Sequence, residues 1–415
     1  MSSNDNKDTR PDLLFLVHRI PFPPNKGDKI RSFNMLAFLS RHYRVHLGCF
    51  IDDPADNAFV DELREYCASQ YVININPTIR KVRSLAALIT GAPLSVPFYA
   101  SKNMQSWVDR TIGAHSISRV VCFSSPMAQF VGDLTESHSV MDFVDVDSDK
   151  WRQYAERTGL PMRLVYRREW HRLADYERDI AGRFAVSTFV TQNEVTLFNR
   201  ISPETAARHH AVRNGVDTEY LDPAVAHPSP YPEAGDVITF VGMMDYWANV
   251  EAVSWFARDV LPAIRAKRPK AEFWIVGGSP TAEVRALADL EGVHVTGRVE
   301  DVRPYMQHAD VAVAPLRIAR GVQNKVLEYL SMGTPTVCST QAAQGLEASD
   351  SAPMLVAETA SEMAMACCRL MDATEDPDQS ASARRYVLQY YNWERNLGDL
   401  RKLIERGPSQ DSIGL

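Results

Sequence analysis

Short runs that are apolar at nearly every position recur along this chain: "DLLFLV" from residue 12, "VHLGCFI" (45–51), "RVVCFS" (119–124), "VITFVG" (237–242), "EFWIVGG" (272–278) and "VAVAPL" (311–316). A strand with one wet face alternates apolar and polar residues, whereas a run without alternation must be covered on both faces. Between these runs lie segments of helical spacing. Ile30, Phe33, Leu36 and Ala37 form one such face, and "NVEAVSWFARDVLPAIRAK" (249–267) is another. Strands that alternate with helices in this way predict parallel sheets clad by helices, an α/β chain. "YVININP" (71–77), "SVMDFVD" (139–145) and "FAVSTFVT" (184–191) extend the first series, and "VHVTG" (293–297) and "TVCS" (336–339) the second. A helix is expected near 55–69. The series breaks at "LDPAVAHPSPYPEAGD" (221–236), where clustered prolines sustain neither helix nor central strand.

A chain of 415 residues exceeds one ordinary core, so the break divides two doubly wound domains, which are expected to face each other across a cleft. The expected organisation is a tail over 1–11, a first domain over 12–220, a linker over 221–236 and a second domain over 237–385. A helix over 386–406 returns to the first domain, and a tail follows over 407–415. The net charge of −7 argues against bulk nucleic-acid binding. The start "MSSNDNKDTRPD" has no apolar core of a signal peptide, and no run of about 18 uncharged apolar residues predicts a spanning helix. Six cysteines without a C-x-x-C pair read as reduced thiols, and the expectation is a cytoplasmic protein. "IRKVRSLAALI" (79–89) mixes basic and apolar residues, as both an interfacial helix and an ordinary packed helix do.

In open sheets of this kind ligands sit at the carboxyl ends of the strands. Three such ends in the second series carry chemistry. Gly242 closes "FVG", with Asn249 placed to cap the next helix; Gly277 and Gly278 close "IVGG"; and "APLRIARGVQNKVLE" brings Arg317, Arg320, Gly321, Lys325 and Glu328. Val326, Leu327 and Leu330 predict a helix that Gly333 and Pro335 end, which puts Lys325 in the first turn, at the positive end of the helix dipole. A cation costs stability there unless an anion docks at the same terminus. Glycine-lined backbone, cations and a carboxylate one turn in are the parts a nucleoside diphosphate needs: cations neutralise its phosphates, and a carboxylate accepts ribose hydroxyls. No G-x-G-x-x-G or G-x-x-x-x-G-K-[ST] follows a strand, so dinucleotide and P-loop readings drop out. Asp145 and Asp147 in "DVDSDK" leave open a metal-binding D-x-D, as in single-domain nucleotide-sugar transferases.

"HRIPFPPNKGDKIRSFN", "VRNGVD", "FVGMMDYWANVEAVSWF", "VTGRVEDVRPYMQHADVAVAPLR" and "GVQNKVLEYLSMGTPTV" together resemble family 4-type glycosyltransferases of the GT-B fold, two Rossmann-like domains. More narrowly they resemble the sugar transferases associated with exosortase-linked (PEP-CTERM) exopolysaccharide clusters. The resemblance implies a nucleotide-sugar donor, UDP-linked by family habit, on the second domain. It implies a glycan or polyprenyl-linked acceptor on the first, with a peripheral contact at the inner membrane. Transfer is expected to retain anomeric configuration and to need no metal and no cofactor. Glu328 matches the glutamate that holds the donor ribose, Lys325 the lysine near the diphosphate, and Gly27, followed by Asp28, the glycine that faces donor and acceptor. Arg320 stands where the family's first glutamate belongs, so Arg320 or Arg317 is expected to supply diphosphate charge. Asp145 and Asp147 occupy the strand end of the missing acceptor-side histidine. The expected catalytic set is Lys325, Arg320 and Asp145. Donor binding is assigned to Gly242, Gly277, Arg317, Gly321, Lys325 and Glu328, and the acceptor side to Gly27, Asp28 and Asp147. Two rivals keep the fold: a nucleotide-sugar 2-epimerase, and a non-catalytic nucleotide- or partner-binding protein.

Overall fold

The computed structural model describes residues 8–24, 26–84, 87, 91–132, 138–232, 236–318, 322–347, 352–373 and 377–406. The chain divides into two compact units, residues 1–212 with 397–415, and residues 213–396.

The first unit holds a seven-stranded parallel sheet in the order β3-β2-β1-β4-β5-β6-β7. Its strands are β1 (Asp12–Val17), β2 (Arg44–Ile51), β3 (Ser69–Asn74), β4 (Arg119–Phe123), β5 (His138–Val144), β6 (Val186–Phe189) and β7 (His209–Ala211). The non-alternating runs are covered on both faces as expected: in β1 every residue from Leu13 to Val17 is buried. Burying each such Leu, Val or Phe contributes about 1.5–3 kcal/mol. The helix expected near 55–69 is instead two 3₁₀ turns, Pro54–Phe59 and Glu62–Glu65. Asp53 accepts the Ala55 N–H and Asn57 donates to the Pro54 carbonyl, local bonds that compete with an α-helix.

The second unit holds six parallel strands in the order β10-β9-β8-β11-β12-β13. They are β8 (Val237–Val241), β9 (Glu272–Val276), β10 (Val293–Gly297), β11 (Val311–Ala314), β12 (Thr336–Cys338) and β13 (Leu355–Val356). The helical run after β8 widens to a π turn over Phe256–Val260, where the ring of Pro262 cannot fit against the carbonyl four residues back. In each sheet the strand order reverses once, between β1 and β4 and between β8 and β11. Such a switch point opens a crevice at the carboxyl ends.

The passage between units differs from the expected linker. It falls at Val212/Arg213, ahead of the proline-rich stretch, and that stretch is bound along the second unit. The Gln307 amide donates to the carbonyls of Pro223 (3.0 Å) and Val225 (2.9 Å), and the Tyr231 hydroxyl donates to the Tyr305 carbonyl (2.5 Å). Proline removes N–H donors but keeps every carbonyl, so the stretch is held largely as an acceptor. The expected returning helix is two helices, Pro377–Tyr390 in the second unit and Trp393–Arg406, which belongs to the first unit from Leu397 onward.

Candidate active site

Strand β8 ends in Gly242, whose N–H donates to the Val276 carbonyl at 3.0 Å, and β9 ends in Gly277. Gly277 has φ +150°, and a Cβ there would lie 1.8 Å from the Gly242 carbonyl oxygen. Both strand ends are bare backbone pressed together, which no side chain at Gly277 permits. From β11 the chain leads into the helix Asn324–Ser331. Tyr329 ties this helix to β8, since its buried hydroxyl accepts the Val241 N–H at 2.8 Å. Gly333 ends it with φ +72°, and a Cβ there would meet Ser380 Oγ at 2.0 Å. The start of the helix has no side-chain cap and no acidic residue in its first turn. The Val326 N–H is taken by the Gln323 carbonyl at 3.0 Å, and the helix start keeps the positive dipole end that favours anions.

Lys325, second in that helix, reaches back to β8. Its ammonium donates to Asn249 Oδ1 at 2.6 Å and lies 4.0 Å from the centre of the Phe240 ring. A Cβ on Gly242 would stand 3.2 Å from Nζ. Burial pulls the lysine down to about 7, with the charge of Glu328 opposing the drop. Glu328, half-buried one turn on, is pushed up by its own burial, against the pull of Lys325. Both groups are thus shifted toward neutrality, as in a site whose desolvation no counter-ion offsets. Arg317 is largely exposed and turns to Glu251 (3.2 Å) and the Trp255 ring (6.0 Å). Arg320 and Gly321 lie outside the described residues.

In the first unit Gly27 is exposed and opens the helix Gly27–His42, with nothing within 4 Å of where a Cβ would stand. Asp28, next to it, pairs with Arg19 and with His18 Nε2 (3.4 Å). Burial alone would raise this carboxyl, but the His18 hydrogen bond and the Arg19 charge hold it well below the usual range. His18 was not singled out in the sequence. Its ring stacks on Phe123 at 5.8 Å and meets Tyr99 edge-on, and its Nδ1 is buried without a partner among the described residues. The available signal was its position, directly after a buried strand. Asp145 and Asp147 do not present free carboxylates: Lys150 Nζ closes on both, at 3.1 and 2.7 Å. Burial would lower that lysine, but the charges of Asp147 and Asp145 outweigh it and raise it. Val144, just ahead of them, holds φ +69°, a strained value for a β-branched residue. Among the described residues, the set of three ligand-type side chains close enough to share an ion is Asp12, His46 and His115. It stands apart from these strand ends, and His46 is already engaged by Asp12 (2.8 Å) and Ser69 (2.7 Å).

Residues 235–373 match the family model described as "Glycosyl transferases group 1". The matched residues lie within the second unit. The match spans the Gly242, Gly277, Lys325 and Glu328 positions. No curated protein matches the chain. Among solved structures, Anabaena HepE in complex with UDP is 13% identical, with TM-score 0.64 over 95% of this chain and 99% of its own. Sucrose-phosphate synthase from Thermosynechococcus elongatus is 15% identical, with TM-score 0.67 over 96% and 99%. WaaG, a glycosyltransferase involved in lipopolysaccharide biosynthesis, is 16% identical, with TM-score 0.61 over 94% and 99%. The fold of this chain is therefore GT-B, two Rossmann-like units with parallel sheets.

Proposed function

We propose that the protein transfers a sugar from a UDP-linked donor, held by the second unit, to a glycan or polyprenyl-linked acceptor in exopolysaccharide synthesis, with retention and without a metal. The observation that carries this reading is Lys325, a desolvated lysine at an uncapped helix start on the β8/β11 switch point, with Glu328 one turn on. As the bond between the anomeric carbon and the diphosphate oxygen breaks, negative charge grows on the leaving diphosphate. Lys325 and the first N–H groups of its helix stabilise that charge where water is largely excluded. Glu328 accepts the ribose hydroxyls. The acceptor oxygen bonds to the anomeric carbon, and its proton leaves with the nucleoside diphosphate. Arg320 and Gly321 complete the diphosphate contacts, and Gly27, Asp28, Asp145 and Asp147 serve the acceptor side. HepE, solved with UDP and with UDP-glucose, supports the choice of nucleotide.

Among the described residues no helix is long and apolar enough to cross a membrane. The helix Pro77–Ser84 exposes Ile79 (57%) and Val82 (65%) beside Arg80, Lys81 and Arg83, which supports peripheral contact with an anionic bilayer.

The test is product analysis with labelled UDP-sugars and a polyprenyl-diphosphate-linked sugar, in EDTA. The expected result is acceptor-dependent UDP release and a new glycoside of unchanged anomeric configuration. Free sugar released without acceptor would favour the epimerase, and no turnover with any donor would favour a non-catalytic binder.

A further inference from the structure

Asn249 sits where a sequence reading places a helix cap, but it caps nothing. The helix Trp247–Trp255 is preceded by Tyr246 at its N-cap, and Asn249 lies inside the helix, 6% exposed. Asparagine is a poor interior helix residue, and a buried amide without partners costs about 1–3 kcal/mol. Both ends of this amide are engaged. Nδ2 donates to the Met243 carbonyl at 2.8 Å, and Oδ1 accepts from Lys325 Nζ at 2.6 Å. The first bond fixes the second, because a flipped amide would turn its NH₂ toward an ammonium and its oxygen toward a carbonyl. Gly242 completes the set: a Cβ there would lie 2.9 Å from Asn249 Nδ2 and 3.2 Å from Lys325 Nζ.

We propose that Asn249 is a positioning residue for a diphosphate: it holds Lys325 Nζ against the β8 loop through a neutral acceptor and leaves the positive charge uncancelled. An aspartate here would grip the ammonium as firmly but neutralise it. An apolar residue would leave the ammonium without its acceptor. An ammonium has three N–H donors and Asn249 takes one, which leaves donors for phosphate oxygens. The inference rests on the reading of this unit as the donor site.

The experiment is calorimetry of UDP binding, with uridine binding followed by ligand-observed NMR, on the full chain and on Asn249→Asp, Asn249→Ala and Lys325→Met. The aspartate variant should weaken UDP by about tenfold or more while uridine changes less than about twofold. In the Lys325→Met background Asn249→Ala should have little further effect on UDP. Should the aspartate variant fail to fold, Asn249→Ser, which shortens the acceptor, supplies the comparison and should also lower UDP selectively. Equal UDP affinity in wild type and the Asn249 variants would overturn the positioning role alone. A parallel loss of UDP and uridine would do the same, since it marks a merely structural amide. No UDP binding by wild type would overturn the donor reading together with it.

Discussion

Raising the pH above neutrality should weaken UDP binding through Lys325. In the free protein burial holds this ammonium at about 7, although Glu328 pulls the other way. A diphosphate at Nζ restores the charged form, so binding takes up a proton wherever the free lysine is partly neutral. Near pH 7 that is about half a proton per UDP, and above it the Kd should rise by about tenfold per pH unit. Two units of pH therefore remove about 2.7 kcal/mol of binding energy. The terminal phosphate of UDP loses its last proton near pH 6, so above pH 7 it is about nine-tenths ionised or more and adds little slope of its own. Folding is linked to the same group. The unfolded lysine titrates near 10.5, the folded one near 7, so between those values the unfolded chain binds more protons. Stability without ligand should rise with pH across that window, and the full penalty applies below it. The assay is calorimetry in buffers of different ionisation enthalpy, which counts the protons, run on wild type and Lys325→Met. A flat affinity from about pH 7 to 9 would refute the reasoning. So would an equal slope in the methionine variant.

Other perturbations read different parts of the fold. Gly277→Ala forces a Cβ onto the Gly242 carbonyl at a φ of +150° and should cost at least about 2 kcal/mol in urea denaturation, with weaker UDP binding. Arg31→Met strips the partner from Asp142, fully buried at 2.7 Å from the guanidinium, and should cost about 3–5 kcal/mol; adding Asp142→Leu should recover much of it. Vesicle flotation should show Ile79→Asp with Val82→Asp lowering binding to anionic liposomes without a change in thermal midpoint, since both side chains are exposed.

The buried strands were legible because parallel strands need apolar residues on both faces, and runs such as "DLLFLV" and "VAVAPL" satisfy that without alternation. The helix carrying Lys325 was legible for a related reason, its apolar spacing and the Gly333 stop being local signals. Asn249 was misread because a polar residue ahead of an apolar run signals a cap, while its actual partners are a carbonyl six residues back and a lysine on another strand's helix. Long-range partners of this kind leave no local pattern. The closure of Asp145 and Asp147 on Lys150 was hidden for a different reason, since a D-x-D reads alike whether it faces a metal, a hydroxyl or a lysine. The proline-rich stretch misplaced the boundary because its composition excludes helix and strand, not packing.

The central claim is that the second unit holds a nucleoside diphosphate between Lys325 and Glu328. Calorimetry of UDP against wild type and Glu328→Ala, both in EDTA, tests it most directly. The account predicts metal-independent binding by wild type and its loss in the variant. Binding that requires a metal, or that survives unchanged in Glu328→Ala, would contradict it.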